Sequence, residues 1–175
     1  MEYDHITYMR GIATTLKSVQ HVEGDETKKH FFRVSSVASM DELMQNLSGV
    51  SGFNLIVENI RMGRLIDNTS ENILDNQSNV FMLLKQANNT DSDSVEQTKK
   101  DCEAEAWKIL AKMRLDRRND HKGDVAKTGL RNMDFSTVYY QTVGPICDNM
   151  YGFMVTFNIA PPAAAKLLFN ANYWI

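Results

Sequence analysis

The chain has 175 residues, 43% of them hydrophobic, and 19 Lys plus Arg against 22 Asp plus Glu give a formal net charge of -3. A chain this long can bury a core of its own without disulfide or metal staples, so one domain over residues 1–160 with a C-terminal arm at 161–175 is expected. Mild acidity and the lack of a long basic run count against nucleic-acid binding by wholesale phosphate neutralisation and leave only a local patch.

Residues 3–19 open the chain with Ile6, Met9, Ala13, Leu16 and Val19 at spacings of three and four, which predicts an amphipathic helix. Gly11 inside it costs about 1 kcal/mol relative to Ala and leaves room for a close helix contact. Residues 21–29 are charged and read as a solvated turn, and His30 to Val34 as a short strand. Ser39 and Glu42 match a capping box for a helix with Met40, Leu43, Met44 and Leu47 on its apolar face and Gly49 as its stop.

A strand over 53–60 sets Phe53, Leu55 and Val57 against Asn54, Ile56 and Glu58. Residues 61–78 are polar, with Leu65, Ile66, Ile73 and Leu74 as apolar anchors, and read as an excursion, a ribbon of two short strands projecting from the core. Residues 78–86 resume as a strand whose centre is apolar on both faces, the mark of a central position. Asp93 and Glu96 give a capping signal for a helix of about 25 residues, roughly 37 Å long. Its inner stripe is Val95, Cys102, Ala106, Ile109, Leu110 and Met113, and Lys99, Lys100, Glu103, Lys108, Lys112, Asp116 and Arg117 make a solvated outer face.

After a polar connection at 119–134, residues 135–143 and 150–159 alternate with period two on either side of the turn 144–149, which predicts an antiparallel hairpin. Tyr151, Phe153, Val155, Phe157 and Ile159 form one apolar face, the expected seat of the long helix. The fold class that results is α+β, a mostly antiparallel sheet packed against one long helix and shorter helices.

Residues that carry chemistry are sparse. His5, His21, His30 and His121 are scattered without ligand spacing, Cys102 and Cys147 form neither a disulfide framework nor a zinc pattern, and no phosphate-cradling loop or nucleophile elbow is present. No catalytic residue, metal or cofactor is expected, and the thiols read as free in a reducing compartment. No segment has the length and apolarity of a signal core or a membrane span, so cytoplasmic synthesis without a membrane partner is expected. The charged cluster at 116–122 suits a helix C-terminus, with a subunit salt contact or a transient nucleic-acid contact as the other readings. Tyr139 and Tyr140 read as strand packing residues, and Trp107 as a cover for the helix flank. Ten methionines would suit an adaptable groove, although Met40, Met44 and Met113 fall on core stripes.

The tail at 161–175 is apolar and ends in Tyr173 and Trp174, side chains suited to anchoring at an interface. It docks either on its own subunit or on a neighbour. Candidate interface residues are Arg61, Arg64, Leu65 and Ile66 of the excursion, and Leu167, Leu168, Phe169, Tyr173 and Trp174 of the tail.

The order helix, strand, excursion, central strand, long helix and closing hairpin, with FMLLKQ before the long helix and YYQTVGPICDNMYGFMVTFNI near the end, resembles tail and neck proteins of bacteriophages and prophages of Bacteroides-like hosts. It is similar to the wider group of tail terminator, head-tail connector and tail completion proteins, with the resemblance carried by residues 80–86, 95–118 and 135–159. The resemblance implies a structural virion protein, assembled in the host cytoplasm as a homo-oligomeric ring that joins or terminates the tail tube. Its partners would be copies of itself and adjoining tail or neck proteins, and DNA would be touched at most transiently through the lumen. The alternative is a non-catalytic assembly adaptor or chaperone that binds one partner through the C-terminal segment.

Overall fold

The computed structural model describes residues 2–35, 43, 47, 50–59, 62–67, 72–122, 128–147 and 149–168. Helix α1, His5–Thr15, starts where the Asp4 carboxylate accepts from the Thr7 amide at 3.1 Å and the Thr7 hydroxyl at 2.8 Å. It buries Met9, Ile12 and Ala13 and ends four residues before the stripe read from sequence does, because Leu16 turns into extended backbone. A methyl group on Gly11 would meet nothing within 4 Å, so no close helix contact accounts for that glycine.

Among the described residues six strands form one sheet: β1 Phe31–Val34, β2 Asn54–Glu58, β3 Met62–Asp67, β4 Ile73–Gln86, β5 Met133–Ile146 and β6 Met150–Ile159. Their order is β1-β2-β4-β6-β5, with β3 paired to β4, and every pairing is antiparallel except that of β1 with β2. Strand β4 is the axis. One of its sides pairs with β3 from Ile73 to Ser78 and then with β2 from Phe81 to Leu84, while the other pairs with β6 from Gln77 to Gln86. The excursion expected to precede this strand therefore supplies its first residues, and β4 begins at Ile73 rather than at residue 78.

Helix α2, Ser92–Lys122, has 31 residues and is about 46 Å long. Its cap is Asp91, two residues before the one read from sequence. The Asp91 carboxylate accepts from the Asp93 amide at 3.0 Å, and its carbonyl accepts from the Val95 amide. Cys102, Ala106, Ile109, Leu110 and Met113 pack with Met9, Ile12 and Ala13 on the sheet face that presents Leu55, Val57, Phe81, Leu83, Phe153, Val155 and Phe157. Removing a large fully buried side chain such as Phe81 or Phe157 would cost about 3–5 kcal/mol. The opposite face holds a smaller cluster in which Leu43 and Leu47 cover Phe32, Val34, Ile56, Leu84 and Met150. The capping box at Ser39 lies outside the described residues.

Polar groups tie α2 to its surroundings. Tyr8 donates to the Asp116 carboxylate at 2.8 Å, Lys112 pairs with the same group, Ser18 donates to Glu105 at 2.7 Å, and Asp120 accepts from the Thr128 amide and hydroxyl. Asp116 is thus buried and partnered by α1 instead of belonging to the solvated outer face.

Candidate interaction surfaces

Of the sequence-predicted interface residues, Arg64, Leu65 and Ile66 lie on β3 and face Asn76, Asp75 and Leu74 of β4. Arg64 is exposed, Leu65 is 56% exposed and Ile66 is half-buried. Leu167, the last residue of a short 3-10 turn, Ala164–Leu167, and Leu168 after it are exposed. Arg61, Phe169, Tyr173 and Trp174 lie outside the described residues.

The chain leaving β6 does not depart from the subunit at once. The Asp75 amide donates to the Pro161 carbonyl at 2.9 Å, the Ala163 amide donates to the Ile73 carbonyl at 2.7 Å, and Leu74 and Pro162 form a bridge between them. Lys166 then pairs with Glu2 at 2.7 Å and reaches Asp75 at 3.7 Å. Ribbon and tail, read from sequence as two separate arms, flank the same stretch of β4 at one end of the sheet. The described part of the tail docks on its own subunit.

A second surface lies at the other edge of the sheet and was not singled out by sequence reasoning. Among the described residues strand β5 pairs only with β6, and its outer side is an edge. Tyr139 is 72% exposed and Tyr140 54%. The Tyr140 ring stacks on Phe153 at 5.5 Å between centroids and meets Trp107 of α2 edge-on at 5.4 Å. The Trp107 indole in turn donates to Glu103 at 3.3 Å. The aromatic spacing was visible in the sequence, but the helix-to-strand juxtaposition that groups these rings is a tertiary fact.

Natural edge strands are blunted by charges, Pro or bulges against unwanted pairing. β1 is short and carries the exposed Arg33, and β3 carries Arg64 and Asp67. β5 has no charged residue from Phe135 to Ile146. It has two irregularities, one between Val143 and Ile146 that holds Pro145, and one between Asp134 and Tyr139, where the Thr137 hydroxyl accepts from the Asn158 amide at 3.1 Å and donates to the Asp134 carbonyl at 2.7 Å. Between them Tyr139 to Val143 pairs regularly with β6 and carries no charge.

His5, His21 and His30 are hydrogen-bonded within the fold. His5 Nε2 lies 2.9 Å from the Val80 carbonyl, an acceptor only, so Nε2 carries the proton and Nδ1 accepts from the Tyr3 hydroxyl at 3.1 Å. Burial pulls its pKa below the ordinary histidine range. His30 is bonded to Asn54 at 3.1 Å, and His21 Nδ1 accepts from the His30 amide. Burial pushes the Cys102 thiol up to about 12, which keeps it protonated near neutrality. Burial and the neighbouring Asp116 likewise raise the pKa of Tyr8. Among the described residues no set of three His, Cys, Asp or Glu side chains is grouped to hold a metal, and no helix is long and apolar enough to cross a membrane.

No family model, curated protein or solved structure matches the chain.

Proposed function

We propose that the protein is a non-catalytic structural subunit of a phage tail or neck, which associates with copies of itself into a ring that joins or terminates the tail tube. The observation that carries this reading is the uncharged, aromatic stretch Tyr139 to Val143 of β5, which lies between the two irregularities of the strand and has none of the charges that edge strands commonly carry. A ring closes through a heterologous interface, so each subunit needs two different patches. The β5 edge with Trp107 supplies one. The ribbon end, with Leu65 of β3 on the other side of β4 and Leu167 and Leu168 of the tail exposed, supplies another. On this proposal the assembly is part of a virion put together in the host cytoplasm, with adjoining tail or neck proteins as further partners, a reading supported by the sequence resemblance of the central strand, long helix and closing hairpin to tail and neck proteins.

Exposed Leu167 and Leu168 beyond a self-docked segment also favour a second reading, an assembly adaptor that engages one partner through its C-terminus. Sedimentation velocity of the purified chain over a range of concentrations separates the two. One closed species larger than a dimer is expected for the ring. A monomer or dimer at every concentration would reject it in favour of the adaptor.

A further inference from the structure

We infer that the C-terminal half of α2 carries a binding groove for the phosphodiester backbone of nucleic acid. Arg114, Arg117, Arg118 and His121 recur at spacings of three and four, so they share one helix face. With Ala111 and Leu115 they line a groove of about 560 Å³. Neighbours at this spacing lie about 5–6 Å apart, which makes the three arginines a row of cations and not a single anion pocket. A row is the complement of a linear polyanion.

What the rest of the helix does with its charges sets the groove apart. Lys100, Lys108 and Lys112 are each paired with a carboxylate of α2 itself, and Lys85 of β4 pairs with Asp101. None of the three groove arginines makes an ion pair with a carboxylate among the described residues. Asp116 and Asp120, interleaved with them in sequence, turn inward to Tyr8, Lys112 and Thr128. The carboxylate that feels Arg117 is that of Asp134, whose own hydrogen bonds come from Ser136. Arg117 itself lies over the Phe135 ring at 5.8 Å, and its Nε is buried without a hydrogen-bond partner. The helix dipole favours cations near the last turn but fades within it. It does not reach Arg114, two turns before the helix end. Arginine's planar fork suits phosphate oxygens, and its weak hydration lowers the cost of binding them.

This site belongs to the single subunit and does not depend on ring formation. The test is fluorescence anisotropy of a labelled DNA duplex of random sequence at several salt concentrations. Weak binding is expected, with Kd about 10⁻⁴ to 10⁻⁶ M and a log–log salt slope of about -3, since each neutralised phosphate contributes about -0.9. Arg114→Gln combined with Arg118→Gln should weaken binding at least tenfold and flatten the slope by about 2, with an unchanged unfolding midpoint because both side chains are exposed. Lys99→Gln combined with Lys100→Gln removes the same charge from the other half of α2 and should leave binding as it was. The inference is overturned if wild type and the arginine double variant bind alike, or if the lysine pair loses as much. It is also overturned if polyglutamate displaces the duplex as well as unlabelled duplex does, which would assign the groove to an acidic protein.

Discussion

Two glycines show how opposite the demands on one residue type are. Gly11 sits in α1 with open space where a side chain would project, so Gly11→Ala should stabilise the protein by about 0.5–1 kcal/mol through helix propensity and a less free unfolded chain. Gly152 lies in β6 against β4, where a methyl group would overlap the Leu83 carbonyl oxygen. Gly152→Ala forces backbone apart and should cost about 1–3 kcal/mol or more. Urea unfolding midpoints of the two variants, shifted in opposite directions, check both. His5 gives the pH dependence. Its folded pKa is lowered by burial, so as pH falls below about 6.5 the unfolded chain takes up a proton that the folded one refuses. Stability should be full above that pH, decline below it and level off once the folded group also titrates. The drop in urea midpoint between about pH 7.5 and about pH 5.5 should be smaller in His5→Gln, which keeps a donor for the Val80 carbonyl.

At the scale of elements, the hydrophobic period was enough to find the long helix, the central strand and the closing hairpin. Val80 to Leu84 is apolar on both faces because β4 has strands on both sides and apolar clusters on both faces. Tyr151 to Ile159 alternates because one face of β6 meets α2. Ends were read less well. Asp91 and Asp93 are equivalent as capping residues, and only the backbone turn at Asn88 decides that Asp91 holds the role. Asp116 looks like a surface charge until Tyr8, far away in the chain, supplies its partner. The parallel β1–β2 pairing has no local signature at all. The irregular start of β5 is of the same kind, since Thr137 reads as one more alternating residue but substitutes for a missing backbone acceptor. Thr137→Val keeps the shape and leaves the Asn158 amide unpaired, which should cost about 1–3 kcal/mol. Thr137→Ser keeps the oxygen and should cost less, and thermal denaturation of the pair measures the difference.

For the whole molecule, the candidate surfaces were half legible. Leu65, Leu167 and Leu168 could be picked out as apolar residues in polar or terminal stretches, and the structure leaves all three exposed. The β5 edge could not, because a strand's rank in the sheet depends on pairings that no local pattern records. That rank also makes the assembly reading testable without disturbing the fold. Tyr139 and Gln141 both pair across to β6 with their side chains exposed, on the sheet face away from α2. Replacing both by Lys installs the charges with which edge strands are normally protected and removes no core contact. If copies of the chain associate through β5, Tyr139→Lys with Gln141→Lys should reduce the large species in sedimentation to monomer while the unfolding midpoint stays within about 0.5 kcal/mol of wild type. An oligomer that survives the double substitution would exclude β5 as the contact and leave the ribbon end and the C-terminal segment to carry association. An unchanged monomer in both proteins would remove the ring altogether.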